Sequence, residues 1–298
     1  MLIAIVATLA FAILVNLSFL VRSALAAKAF PTLETTLLGA VVNFFDTLGI
    51  GSFAPTAAWL KFRKLVPDRL IPPTMLVGLT PPVMAESVIF LILLGVKVDV
   101  TLLVGSALAT MIGGIVGAPL VARARVWVVQ MILAVGLVLA AIAYIMTNLH
   151  LFPGGGEASG LPFGLTIIAV VASFVMGVLA NFGVGNYAPM LVMLSLMGMD
   201  PRLCFPIMAL GGSLMGATAS VRHMQIGQVD MRVVLGLTLG GIPAVLVAAL
   251  IVKSMPIEVL RWMVVVVVLY SAAVLFRAAV HGRREHANEG ATAAVAAS

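Results

Sequence analysis

Charge is scarce in this chain. Only 9% of its 298 residues are Asp, Glu, Lys or Arg, against about 25% in an average soluble domain. So few charged groups do not cover the surface of a water-soluble globule, and that class is excluded. Cysteine is almost absent: the single Cys204 excludes an internal disulfide and any cysteine-based metal cluster. The histidines are His150, His223, His281 and His286. They fall in loops or the tail without metal-ligand spacing, so neither a metal site nor a cofactor is expected. Residues 1–21 carry no charge at all. A secretory signal would need a positive segment ahead of its apolar core, so these residues are read as a retained membrane helix. Arg22 follows it.

Apolar residues make up 62% of the chain, with 28 glycines and 17 methionines. This composition fits a bundle of membrane helices, in which small residues allow close contact. The net charge of +6 is distributed mostly between the apolar runs. It therefore reads as a topology signal and not as a nucleic-acid footprint, and no nucleic-acid partner is expected. A bilayer-spanning helix needs about 20 apolar residues. Uninterrupted candidates are 1–21, 73–96, 100–121, 126–148, 203–221, 233–252 and 257–280. Two further apolar stretches, 36–61 and 165–198, are broken in the middle by glycines and a proline. The joint 149–160 divides the chain near its midpoint, and the polar, Ala-rich tail 281–298 is expected to be disordered.

The broken stretches are copies of one another. Gly49-Ile50-Gly51-Ser52-Phe53-Ala54-Pro55 matches Gly183-Val184-Gly185-Asn186-Tyr187-Ala188-Pro189 at an offset of 134. Downstream, Arg69 aligns with Arg202, Pro73 with Pro206, Gly78 with Gly211 and Ser87 with Ser220, each at an offset of 133. Val98-Asp99 then aligns with Val229-Asp230. The chain is thus two related halves, 36–148 and 162–280, preceded by one extra helix.

Cytoplasmic loops are enriched in Lys and Arg, so charge tests whether the broken stretches cross. If both cross, as nine spans with two broken helices, the 17 basic residues divide nine to eight and no bias remains. If both are re-entrant hairpins, the division is thirteen to four. The hairpin arrangement is preferred. The fold class expected is therefore an all-α polytopic membrane protein, seven transmembrane helices plus two re-entrant helical hairpins arranged as inverted repeats. The N-terminus then lies outside and the C-terminus in the cytoplasm. Inverted repeats with broken helices are a recurrent transporter architecture.

In that arrangement the hairpin tips face one another near the midplane. Each outgoing half-helix offers its free N–H groups and positive dipole end to an anion. Substrate-binding candidates are Asn43, Gly49, Gly51, Ser52 and Phe53 from the first tip. The second contributes Asn181, Gly183, Gly185, Asn186 and Tyr187. For a single copy, glycines that only shape a turn would be the simpler reading; two inverted copies favour a binding site. Asp46 and Glu86 are the only carboxylates inside the apolar runs. A charge at the membrane centre costs about 2.5–3.5 kcal/mol on insertion scales, so each needs a reason. Either one takes up a proton coupled to substrate movement, or they serve structure. In the second case Asp46 satisfies amides at the broken helix, and Glu86 bonds a carbonyl freed by Pro81-Pro82. The tandem glycines Gly113-Gly114, Gly211-Gly212 and Gly240-Gly241 are expected at close helix contacts. Arg69 and Arg202 are expected to act in capping and at interfaces.

The segments Asp46-Thr47-Leu48-Gly49-Ile50-Gly51-Ser52-Phe53 and Gly183-Val184-Gly185-Asn186-Tyr187-Ala188-Pro189 resemble the sulfite exporter TauE/SafE family of bacterial permeases, over roughly 36–280. The resemblance implies transport of a small anion, such as sulfite, sulfoacetate or an aromatic sulfonate, across the bacterial plasma membrane. Members with this pattern often carry a third glycine after Gly-x-Gly. Ser52-Phe53 and Asn186-Tyr187 stand there instead, giving a more polar and more aromatic pocket. A secondary transporter working by alternating access, with a small anion and the lipid bilayer as partners, is the leading expectation. A homo-oligomer is compatible with it. A passive anion channel is the alternative, and an intramembrane enzyme using Asp46 and Glu86 is a weaker one.

Overall fold

A computed structural model describes residues 2–48, 51–67, 70–93, 97–121, 126–149, 156–180, 187–227 and 229–296. Its elements are α1 (Leu2–Ala26), α2 (Leu33–Thr47), α3 (Phe53–Phe62), α4 (Ile71–Leu93), α5 (Val100–Val121) and α6 (Val126–Asn148). After the midpoint come α7 (Phe163–Ala180), α8 (Tyr187–Leu196), α9 (Pro201–Ile226), α10 (Met231–Ser254) and α11 (Ile257–Ala296). There is no strand among the described residues. An isolated bridge pairs Ala158 with Met199.

Short polar caps set the helix starts. Thr32 and Thr35 form a reciprocal capping box before α2. Asp99 accepts the Leu102 amide at 2.9 Å to open α5. Its counterpart Asp230 accepts the Arg232 and Val233 amides to open α10. Asp200 caps α9 ahead of Pro201, where proline's missing N–H leaves no bond unmade. Gly227, at φ 72°, ends that helix in the left-handed conformation.

Seven described helices are long and apolar enough to cross a membrane: α1, α4, α5, α7, α9, α10 and α11. The chain is a multi-pass membrane protein. The set differs from the sequence reading in two places: α7, the first arm of the second broken stretch, is by itself 18 residues long, and the span expected at 126–148 includes residues whose side chains lie outside the description. Large apolar side chains such as Phe11, Leu139, Ile167 and Val266 stand on the outer faces, where lipid is the compatible solvent. The tail differs from expectation. Residues 281–296 continue α11 as helix, which their alanine content favours intrinsically.

Contacts between the halves fix the helix directions. On α4, Thr74 meets Asp230 and Gly78 meets Thr238 of α10, so these two run parallel. Along α2, Thr35 lies at Gly236 and Asn43 at Gly241, so α2 is also parallel to α10. Against α9 the order reverses. Thr80 of α4 stands over Gly216, while Val83 accepts from Ser213. Helix α9 runs parallel to α5 through Thr110 at Gly211 and Met215 at Gly114, and α5 runs parallel to α7 through Val170 at Gly105 and Gly177 at Thr110. Thus α2, α4 and α10 point one way, and α5, α7 and α9 point the other.

Two consequences follow. A first broken stretch that ran straight through would leave α4 antiparallel to α2. Because the two are parallel, the chain reverses between them, and α7 and α9 require the same reversal in the second stretch. In addition, each half lends its first arm to the other, with α2 packing on α10 and α7 on α5. The tandem glycines make this exchange feasible. A Cβ at Gly240 would stand 1.9 Å from the Thr36 carbonyl oxygen, and one at Gly113 2.1 Å from that of Phe174. At matched positions the partners swap roles: Asn43 covers Gly241 in one pair, and Thr110 covers Gly177 in the other.

Candidate functional site

The described residues at the first reversal are 46–48 and 51–52. Helix α2 ends at Thr47, and Leu48 remains right-handed at the cap. Gly51 has φ 88°, a region that an L side chain enters only with strain. Helix α3 then starts at Phe53, with Pro55 in its first turn as expected. Asp46 closes the loop: its Oδ1 accepts the Ser52 amide at 2.8 Å. Of the two roles foreseen for Asp46, satisfying an amide at the broken helix is therefore present. The Ser52 amide is thereby removed from the donors offered to a ligand, and the Ser52 hydroxyl is buried beside the same carboxylate. Asn43, one turn earlier, donates through Nδ2 to the Gly39 carbonyl at 2.8 Å and buries its Oδ1 without a described partner.

Glu86 approaches this loop from α4. Asn43 and Pro82 flank Gly241 together. One turn on in each parallel helix, Asp46 and Glu86 lie within electrostatic reach of one another. The structural role foreseen for Glu86 is not observed. Pro82 deprives the Gly78 carbonyl of its helical donor, but Thr238 of α10 supplies one, its hydroxyl donating at 3.1 Å. Glu86 is fully enclosed, and neither carboxylate oxygen has a hydrogen-bond partner among the described residues.

The third contributor comes from the other half. Tyr187 is the first residue of α8, with Pro189 in the same turn. Its buried hydroxyl faces Glu86 and senses Asp46, yet completes no hydrogen bond among the described residues. Here, then, the structure brings together Asn43, Asp46, Ser52, Glu86 and Tyr187. Phe53 is half-buried at the start of α3 and packs against the cluster that contains Val42, Leu60 and Leu79. Gly49, Asn181, Gly183, Gly185 and Asn186 lie outside the described residues.

The arrangement is rich in oxygen and poor in positive charge. No Lys or Arg joins it among the described residues, because the helices around it carry their basic groups at their ends. An unpaired buried polar group costs about 1–3 kcal/mol, and native proteins keep few of them. Several gathered at one place mark a site shaped for something other than folding. Thr238 was not foreseen as a contributor. Its signal was Pro82, four residues after Gly78, which announces an orphaned carbonyl without naming its partner. Arg202 takes the interface role expected of it, its guanidinium donating to the Met255 carbonyl in the α10–α11 joint. Among the described residues no cluster of His, Cys, Asp or Glu is suited to a metal ion.

Residues 165–298 match the family described as Sulfite exporter TauE/SafE. The match covers the second half, including α8 and Tyr187, and supports the family resemblance carried by the second glycine motif. It suggests a membrane transporter, in keeping with the apolar helices. No curated protein and no solved structure matches the chain significantly.

Proposed function

We propose that this protein is a secondary transporter moving a small anion, a sulfonate or sulfite-like compound, across the bacterial plasma membrane by alternating access. The observation that carries the reading is the meeting of Glu86, Asp46 and the first chain reversal with Tyr187 at the start of α8, residues from two halves whose matched helices run in opposite directions. In this reading the reversals are re-entrant hairpins entering from opposite faces. The N-terminus lies outside, and the C-terminus, with its basic residues, is cytoplasmic. Enclosed oxygens and a half-helix N-terminus give an anion donors without a fixed positive charge. Weak, neutral donors suit release as much as capture. The family's description supports an anion of the sulfite class, and its transporter character supports a non-enzymatic role.

The test is uptake by purified protein in liposomes against sulfite, sulfoacetate, benzenesulfonate and matched carboxylates. Saturable uptake of at least one sulfur oxyanion, recovered chemically unchanged, is the expected result. Non-saturable flux would indicate a channel, and chemical conversion would indicate an enzyme.

A further inference from the structure

Two acids sit in a site read as receiving an anion, and ionised acids repel anions. The structure separates their tasks. Asp46 is held by the Ser52 amide at 2.8 Å and stabilises the chain reversal. Glu86 has no such tie: both its oxygens are buried without a described hydrogen bond. The Tyr187 hydroxyl faces it, equally without a described hydrogen bond and likewise buried. These two groups come from different halves, so whatever passes between them couples α4 of the first half to α8 of the second.

We infer that the Glu86 carboxylate is a built-in competitor of the substrate for the Tyr187 hydroxyl, and that a proton arriving on Glu86 releases this hydroxyl to the incoming anion. The inference rests on the transporter reading above. With Glu86 ionised, Tyr187 donates to it, and the site is negatively charged and closed to an anion. When water on the loading side delivers a proton, Glu86 becomes a neutral acid. It then no longer needs Tyr187 and can itself donate through its O–H. Two neutral hydroxyl donors, on Glu86 and Tyr187, then meet at the start of α8. One proton enters with one anion, and the proton returns to water when the anion leaves. Strict coupling follows because the place beside the Tyr187 hydroxyl holds either the negative charge of Glu86 or that of the substrate.

The charged surroundings leave Glu86 in control. Asp46 from α2 and Tyr187 from α8 are the described titratable groups that face it. The other helices packed near α4 carry theirs at their ends: Arg22 on α1, Lys61 on α3, Arg202, Arg222 and His223 on α9, and Arg232 and Lys253 on α10.

The direct test uses the unaltered protein in detergent with benzenesulfonate, whose own charge is constant over the working range. Binding should take up about one proton per anion, and affinity should fall about tenfold per pH unit once Glu86 ionises. Binding with no proton uptake overturns the inference. Glu86→Gln, neutral and of similar shape, should abolish both the proton uptake and the pH dependence; persistence of either overturns it. Tyr187→Phe should weaken binding about tenfold to a hundredfold, the loss of one hydrogen bond to a charged group. Unchanged affinity in that variant also overturns the inference. If the unaltered protein neither binds nor moves any anion of the panel, the transporter reading itself fails. Anion movement without proton uptake defeats only the present inference.

Discussion

Glu34 at the start of α2 is clasped by Arg63 at the end of α3, with Nε 2.8 Å from Oε1, and Trp59 donates to the same oxygen at 3.1 Å. Residues 29 positions apart would be about 40 Å apart in a continuous helix, at 1.5 Å per residue. The pair therefore ties the two ends of the first reversal together. In the second half the backbone does this work. Ala158, ahead of α7, donates to Gly198 and accepts from Asp200, beyond α8.

That clasp has a pH signature. The hydrogen bond from Arg63 holds the Glu34 carboxyl below its ordinary value. A carboxyl lowered in the folded state adds stability above the usual glutamate range, and the contribution is lost as pH falls through the lowered value. The unfolding temperature of the unaltered protein should therefore exceed that of Glu34→Gln at neutral pH, with the gap closing on acidification and in high salt. A gap that widens in acid would show that the pairing is not what holds these ends.

The side of the membrane reached by each reversal is open to thiol labelling. In a Cys204→Ala background, Lys64→Cys beyond α3 and Met197→Cys beyond α8 should react from opposite faces, since the proposed re-entrant hairpins would each return to the face they left. Labelling of both from one face would instead require two complete crossings and would remove the opposed-hairpin arrangement.

Glycine positions give a contrast in stability. At Gly240 a methyl would meet the Thr36 carbonyl oxygen at 1.9 Å, backbone that has no room to shift. At Gly136, inside α6, nothing lies within 4 Å. Gly240→Ala should lower stability by about 1–3 kcal/mol, the range for overpacking, and should loosen α2 from α10. Gly136→Ala should be neutral or stabilising by about 0.5–1 kcal/mol. Thermal unfolding of both variants in detergent checks the difference, and equal effects would disprove the close α2–α10 contact.

Much of this architecture was legible because local chemistry dictates it. Gly51 and Pro55 announced the break and restart of the first stretch, and Asp99 and Asp230 announced two matched helix starts. What sequence could not supply was partnership. Internal similarity aligns α2 with α7, but nothing in either says that α2 lies on α10 and α7 on α5. That exchange is decided by surface fit, glycine against backbone, across more than 60 residues of chain in α5 and α7 and nearly 200 in α2 and α10. The same limit hid the site's third member. Tyr187 read as an aromatic wall beside its own glycines, and only packing brings it to Glu86, whose matched position in the second half is Ala219. The tail misled for a different reason: its composition is polar enough to seem disordered, yet alanine-rich enough to continue α11.

Asp46 offers the sharpest separation between building the site and operating it. Its visible task is to accept one amide hydrogen bond from Ser52. A side-chain amide oxygen accepts such a bond as well, so Asp46→Asn should keep the reversal folded, although the new NH₂ group must find a place beside the Ser52 hydroxyl. Asp46→Ala leaves the Ser52 amide buried and unpaired, at a cost of about 1–3 kcal/mol, and should open the loop around Gly51. Transport by Asp46→Asn should therefore stay within about threefold of the unaltered protein, a difference of under 1 kcal/mol, and should keep its pH profile. Asp46→Ala should lose most transport and unfold at lower temperature. A flattened pH profile in Asp46→Asn would instead make Asp46 a proton carrier in its own right. Equal behaviour of the two variants would mean that the Ser52 bond contributes nothing to the reversal.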